Sequence, residues 1–128
     1  METTTQTSLY ERLGGKEGIS KLVDDIVDRH MENPAIATRF LPYRERPEEL
    51  AVIKEHLCEF FGMGSGGPET YTGKEMPEAH RGMNISEEEY MHATDDIMLI
   101  LDRHGMDENT KGEVLAIVWS LKEQIMHQ

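Results

Sequence analysis

Apolar residues recur along most of the chain at spacings of three and four, the mark of helices that bury one face. Ile19, Leu22, Val23, Ile26, Val27 and Met31 share one side of a helix expected from about Lys16 to Met31. Upstream, "SLYERLGG" offers Ser8 as an N-cap with Glu11 three residues on, a capping box for a short helix that Gly14-Gly15 stops. "ENPAIATRFL" breaks the second helix, and Pro34 starts one further helical turn carrying Ile36 and Phe40. "PYRERPEEL" reads as a polar loop, after which Pro47, Glu48 and Glu49 begin a helix with Leu50, Ile53, Leu57, Phe60 and Phe61 in one stripe. "GMGSGGPETYTG" then ends that helix near Phe61, because five glycines in twelve residues are too flexible to be helical. Ser86 and Glu89 form a second capping box opening a helix that ends near Gly105, and Asp107 caps a last one running through Val114, Leu115, Val118, Leu121 and Ile125. No stretch alternates as a strand would. The pattern predicts an all-α chain with four substantial helices and several short ones.

Length and composition narrow this further. A chain of 128 residues with 38% hydrophobic residues suits one globular domain, expected over 8–128, with residues 1–7 as a polar, frayed tail. Neither a linker nor an internal repeat divides it. There is no run of about 18 apolar residues to span a membrane. "METTTQTSLY" has no basic and apolar regions of a secretory signal, and the single Cys58 forms no internal disulfide, so a cytoplasmic location is expected. A net charge of −12, from 25 acidic against 13 basic residues, repels phosphate backbones and acidic membrane surfaces, so no nucleic-acid or membrane partner is expected.

Candidate chemistry rests with the histidines. His-Glu-x-x-His and Cys-x-x-Cys patterns are absent, and Cys58 reads as a core or half-buried thiol. His30 and His104 fall in last helical turns, where the helix dipole favours a partly positive ring. His92 and His127 sit in no pattern and are expected to face solvent. His56 and His80 remain. On a helical wheel of ~100° per residue, His56 lies roughly 40° beyond Phe60, on the border of the apolar stripe. His80 follows 24 positions later in "MPEAHRGMNIS", on a short segment between a proline-started half-turn and a capped helix. Two imidazoles facing each other across an apolar gap is the arrangement that axial ligation of a haem iron requires. Phe40, Phe60, Phe61, Met76, Met83, Ile85, Tyr90 and Trp119 supply apolar surface for a porphyrin, although such stripes are more often ordinary core.

Three motifs in order carry a resemblance. "LYERLGGKEGI", "EFFGMGSGGPETYTG" and "MPEAHRGMNIS" resemble the N-terminal helix with its Gly-Gly turn, the second glycine turn with its Phe pair, and the proximal-histidine segment of group I truncated haemoglobins. The likeness runs from about Ser8 to about Gln124. It implies a two-over-two helical sandwich around a non-covalent b-type haem, with His80 as the proximal iron ligand. It also implies that Phe40 wedges the haem and that Phe60, Phe61, Tyr71, Met76, Met83 and Tyr90 touch it.

Departures from the family matter as much. Where oxygen-binding members place a tyrosine and a glutamine near the gas, this chain has Val27 and Leu57, with Ile53 also facing the iron. None donates a hydrogen bond, so a bound oxygen with partial negative charge would lose about 1–3 kcal/mol of stabilisation. Fast oxygen release or easy oxidation should follow. His56 stands where some cyanobacterial relatives carry a histidine that binds the iron directly, and others a Lys or Arg that pairs with a haem propionate. Glu123 stands at the position of a histidine that links the haem covalently in those relatives, so no such link is expected. The expected function is reversible binding of O2, CO or NO, with bis-histidine ligation in the gas-free state. The alternative is electron transfer or nitric oxide detoxification with a separate reductase. A monomer or weak dimer is expected.

Overall fold

The computed structural model describes residues 8–128, and the tail expected over 1–7 lies outside them. The first signal behaves as read: the Ser8 hydroxyl accepts the Glu11 N–H at 3.1 Å while the Glu11 carboxylate accepts the Ser8 N–H, opening α1 (Leu9–Arg12). Gly14 then takes a φ of 98°, open to glycine at little cost. Gly18 is required by close approach, since a Cβ there would sit 2.3 Å from the Leu13 carbonyl oxygen. The chain can therefore fold α2 (Gly15–Glu32) tightly back on α1.

α2 is the spine. Its Ile19, Leu22, Val23, Ile26, Val27 and Met31 are buried with Leu9, Leu13, Tyr90, Ile100, Leu101, Val114 and Val118. α4 (Pro47–Gly64) packs on α2, as does α6 (Glu87–Arg103), and α7 (Glu108–Ser120) closes over α6. α4 and α6 do not pack extensively on each other. Burying an aliphatic side chain contributes about 1.5–3 kcal/mol, so the shared α2 face is what holds the two helices together.

Three local expectations change. "PYRERPEEL" is not an open loop: α3 (Ala37–Phe40) runs into a 3-10 helix over Leu41–Glu45, with Pro42 in its first turn. α4 continues past Phe61 to Gly64, because Ser65 donates both its N–H (3.0 Å) and its hydroxyl (2.6 Å) to the Phe61 carbonyl and closes the last turn. The last helix breaks at Leu121, whose N–H turns back to Val118 in a tighter i→i−3 bond, leaving α8 (Lys122–Ile125) as a separate turn. The second capping box holds, with the Ser86 hydroxyl accepting the Glu89 N–H, and Gly105 ends α6 at a φ of 78°.

Among the described residues there is no strand, only an isolated bridge between Ile85 and Met126. No helix among them is long and apolar enough to cross a membrane.

Candidate haem site

His80 ends α5 (Met76–Ala79), a single turn started by Pro77. Its Nδ1–H donates to the Met76 carbonyl at 2.8 Å, and its backbone N–H donates to the same oxygen at 3.1 Å. A carbonyl only accepts, so Nδ1 carries the proton and Nε2 keeps its lone pair. That is the second bond a metal-ligating histidine makes, one that fixes the ring and raises its basicity. The ring is half-buried, so the lone pair is not sealed in the core.

α4 contributes an apolar face. Ile53, Leu57 and Phe60 follow one another at helical spacing, and all three are half-buried, as is His56 beside them. Leu57 and Phe61 also pack against the core. Tyr71 is laid across this face, its ring centroid 5.5 Å from Phe60 and 6.0 Å from His56, edge-on to both. Two features hold it there. The Glu59 carboxylate accepts the Thr72 N–H (3.0 Å) and hydroxyl (2.8 Å), bonds that keep that carboxyl below its ordinary range. Gly73 leaves room, since a Cβ there would meet the Tyr71 hydroxyl at 2.4 Å. "TYTG" is therefore a fitted turn.

The other sequence-selected residues spread around this face and behind it. Met76 is half-buried and Met83 exposed; Ile85 is half-buried against the core. Val27 is fully buried, and Tyr90 is buried with its hydroxyl donating to the Val118 carbonyl. Phe61 lines a small apolar cavity of about 10 Å³ with Ile19, Leu22, Ile26, Ile97 and Leu101. Trp119 is 44% exposed, with Tyr90 at its edge and the Lys122 ammonium 4.2 Å above its ring. The His56 ring makes no hydrogen bond among the described residues and touches only the Tyr71 ring among aromatic partners. Cys58 is half-buried, and burial together with Asp24 raises its thiol pKa, as an unreactive cysteine requires.

Phe40 rests on a polar network that periodicity did not suggest. Its ring lies 4.9 Å from that of His30. His30 is buried, and its Nδ1 meets Asp96 Oδ2 at 2.8 Å. Asn33 Nδ2 donates to both Asp96 oxygens (3.1 and 3.2 Å), and Arg29 Nε to Oδ1 at 3.3 Å. His30 thus occupies the last turn of α2, as expected, but burial outweighs Asp96 and lowers its pKa, favouring the neutral ring over the cation the helix dipole would prefer. With the folded pKa below the ordinary 6.5, the unfolded chain takes the proton first. Stability is therefore expected to fall as pH drops through about 6.5 toward the lower folded value, and not above it. Urea midpoints of the haem-free chain at about pH 7.5 and about pH 5.5 check this, and His30→Gln should flatten the difference. His104 pairs with Asp25 at 2.7 Å, and His92 is half-buried rather than open to solvent.

The donor chemistry and the half-buried apolar face fit a haem held by His80. Solved structures share the architecture. A truncated haemoglobin from Tetrahymena pyriformis in the Fe(III) form aligns with a TM-score of 0.85 at 20% identity, covering 95% of this chain and all of that one. The 2/2 haemoglobin of a Synechococcus strain, in the cyanomet state with covalently attached haem, aligns at 0.80 and 21% identity over 92% and 95% of the two chains. The fold is thus the two-over-two truncated globin fold. In sequence, the group 1 truncated hemoglobin GlbN of Mycolicibacterium paratuberculosis is 25% identical over 92% of this chain and 83% of that protein. GlbN of a Synechocystis strain is 26% identical over 87% and 89%. The model of the family described as bacterial-like globin matches residues 8–127, and the chain belongs to that family.

Proposed function

We propose that the chain holds a b-type haem non-covalently through His80 and binds a diatomic gas, O2, CO or NO, reversibly. The observation that carries this is the His80 ring, oriented by the Met76 carbonyl with its Nε2 lone pair left free. A haem bound there supplies the iron position at which the gas attaches. Met76, Phe60 and Tyr71 offer apolar surface to the porphyrin, and Phe40, backed by His30, gives it a firm edge. Glu123 offers no imidazole for a covalent link, which favours a haem that exchanges. Absorption spectra of the haemin-treated protein and of His80→Ala test the assignment: a Soret band in the first and its loss or displacement in the second.

His56 is proposed as the sixth ligand when no gas is bound. It is half-buried at the border of the apolar face, and its ring nitrogens make no hydrogen bond among the described residues. The gas-free ferrous protein should then be six-coordinate and low-spin, and His56→Ala should convert it to five-coordinate and high-spin. A high-spin wild type, unchanged in His56→Ala, would remove His56 from the iron.

A second reading has one specific support. Val27, Ile53 and Leu57 carry no donor for a partly negative ligand, which shortens oxygen retention and favours oxidation. Electron transfer suits such a site, while nitric oxide removal, which needs oxygen held at the iron, is disfavoured by it. Oxygen off-rate and autoxidation separate redox work from gas carriage, and nitric oxide consumption with a reductase present tests for turnover.

A further inference from the structure

The segment after His80 has almost nothing to hold it by burial: Arg81, Gly82, Met83 and Asn84 are all exposed. Gly82 and Asn84 also take left-handed backbone, φ 86° and 46°, a conformation that a non-glycine residue keeps only under constraint. The constraint comes from two places distant in sequence. On one side the Gln128 carbonyl accepts the N–H of Gly82 (3.1 Å) and of Asn84 (3.0 Å), and the His127 N–H donates to the Ile85 carbonyl at 2.9 Å. Buried Met126 pairs with Ile85 and pins this strap to the core.

On the other side Arg39, next to Phe40, donates from Nη2 to the Met83 carbonyl at 2.9 Å. The same guanidinium grips Glu89 through Nε (2.5 Å) and Nη2 (3.0 Å), and Glu89 is in turn the capping partner of Ser86. Met83 closes the circuit, its N–H donating to the His80 carbonyl at 3.1 Å. A planar fork reaching a carboxylate and a carbonyl together is geometry that arginine has and lysine lacks.

We propose that residues 126–128 and Arg39 form a two-sided brace that positions the His80 imidazole for the iron. They are positioning residues, acting through the backbone of 82–85, and the inference rests on the haem reading of His80. The brace pre-sets the ligand on a turn too short to hold itself, so the ring need not be ordered when the haem enters.

The test compares wild type with a chain ending at Met126, which keeps the buried methionine, and with Arg39→Lys, which keeps the charge but not the fork. In the haem-free chain, amide exchange of Gly82 and Asn84 should rise at least about tenfold in the shortened protein while helix content stays unchanged. In the haemin-loaded protein, transfer of haemin to an excess of a competing apo-globin should accelerate about 10-fold or more in both variants. The iron–histidine stretching band of the ferrous form should shift or broaden, a signature that loss of general stability does not produce. Unchanged transfer and an unchanged band in both variants overturn the brace and leave the haem reading standing. A wild type that takes up no haemin overturns both. Should the shortened chain fail to fold, Arg39→Lys decides the matter alone.

Discussion

His80→Ala is expected to abolish stable haem retention while leaving the helices in place. Partners that only orient a metal ligand are worth about 10–100-fold in affinity, and removal of the ligand itself should exceed that range. Haemin loss from His80→Ala should therefore be at least about a hundredfold faster than from wild type. The fold should survive because His80 lies at the end of a single turn, with a half-buried ring that hydrogen-bonds only its own Met76 carbonyl. Far-UV circular dichroism of the haem-free variant checks that half of the statement. A sharper control is His80→Gly with added imidazole. If the geometry around residue 80 is pre-set, free imidazole should restore the wild-type spectrum. Retention of haemin by His80→Ala at the wild-type rate would move the ligand elsewhere, and His56 would be the first residue to examine.

Much of the fold, and the apolar helix face at the candidate site, was legible in the sequence, and the reason is local chemistry. Ser8 with Glu11 and Ser86 with Glu89 announce helix starts because a cap needs only three residues of context. Ile53, Leu57 and Phe60 announce a face because helical spacing is fixed. What was hidden depends on pairs remote in sequence or on main-chain atoms. The Met76 carbonyl that orients His80 is an atom every residue has, so no side-chain pattern could name it. Arg39 and Glu89 are 50 positions apart and each reads as solvated surface alone. Glu89 shows how far that impression misleads: Arg39 and the Ser86 N–H hold its carboxyl at about 2, against an ordinary 4.5. The strap of 126–128 works through backbone groups and carries no apolar period. The 3-10 turn at Leu41–Glu45 was missed for a related reason, since it buries no continuous stripe. Asp96 was hidden most completely. It follows the exposed Asp95 in "ATDDIM", and a charged pair on a helix ordinarily faces water.

That buried carboxylate sets the largest expected loss of stability. Asp96 is 3% exposed, yet it accepts bonds from His30, Asn33 and Arg29 where α6 crosses the end of α2. In Asp96→Ala the donors remain and their acceptor is gone. Arg29, the most exposed of the three, can turn to water, but Asn33 and His30 are buried and cannot. With His30 neutral and Arg29 able to reach water, two buried groups lose their acceptor, and each left unpaired costs about 1–3 kcal/mol. A loss of about 2–5 kcal/mol is therefore expected for Asp96→Ala, read from urea unfolding of the haem-free chain, out of the roughly 5–15 kcal/mol a folded domain possesses. Asp96→Leu with His30→Phe and Asn33→Leu removes donors and acceptor together and should recover much of it, because apolar replacement of a whole buried network is often nearly neutral. If the single and triple variants are equally unstable, the cost lies in packing and not in orphaned donors. The network also reaches the site. His30 presents its ring to Phe40 at 4.9 Å only while Asp96 holds its Nδ1, so Asp96→Ala frees the surface on which Phe40 rests. Faster haemin loss should accompany the lost stability, whereas the iron–His80 band should be unmoved, since Asp96 bonds none of Met76, Arg39 and Glu89, the groups that hold and brace the His80 segment. The same variant thus distinguishes support of the haem edge from support of its ligand.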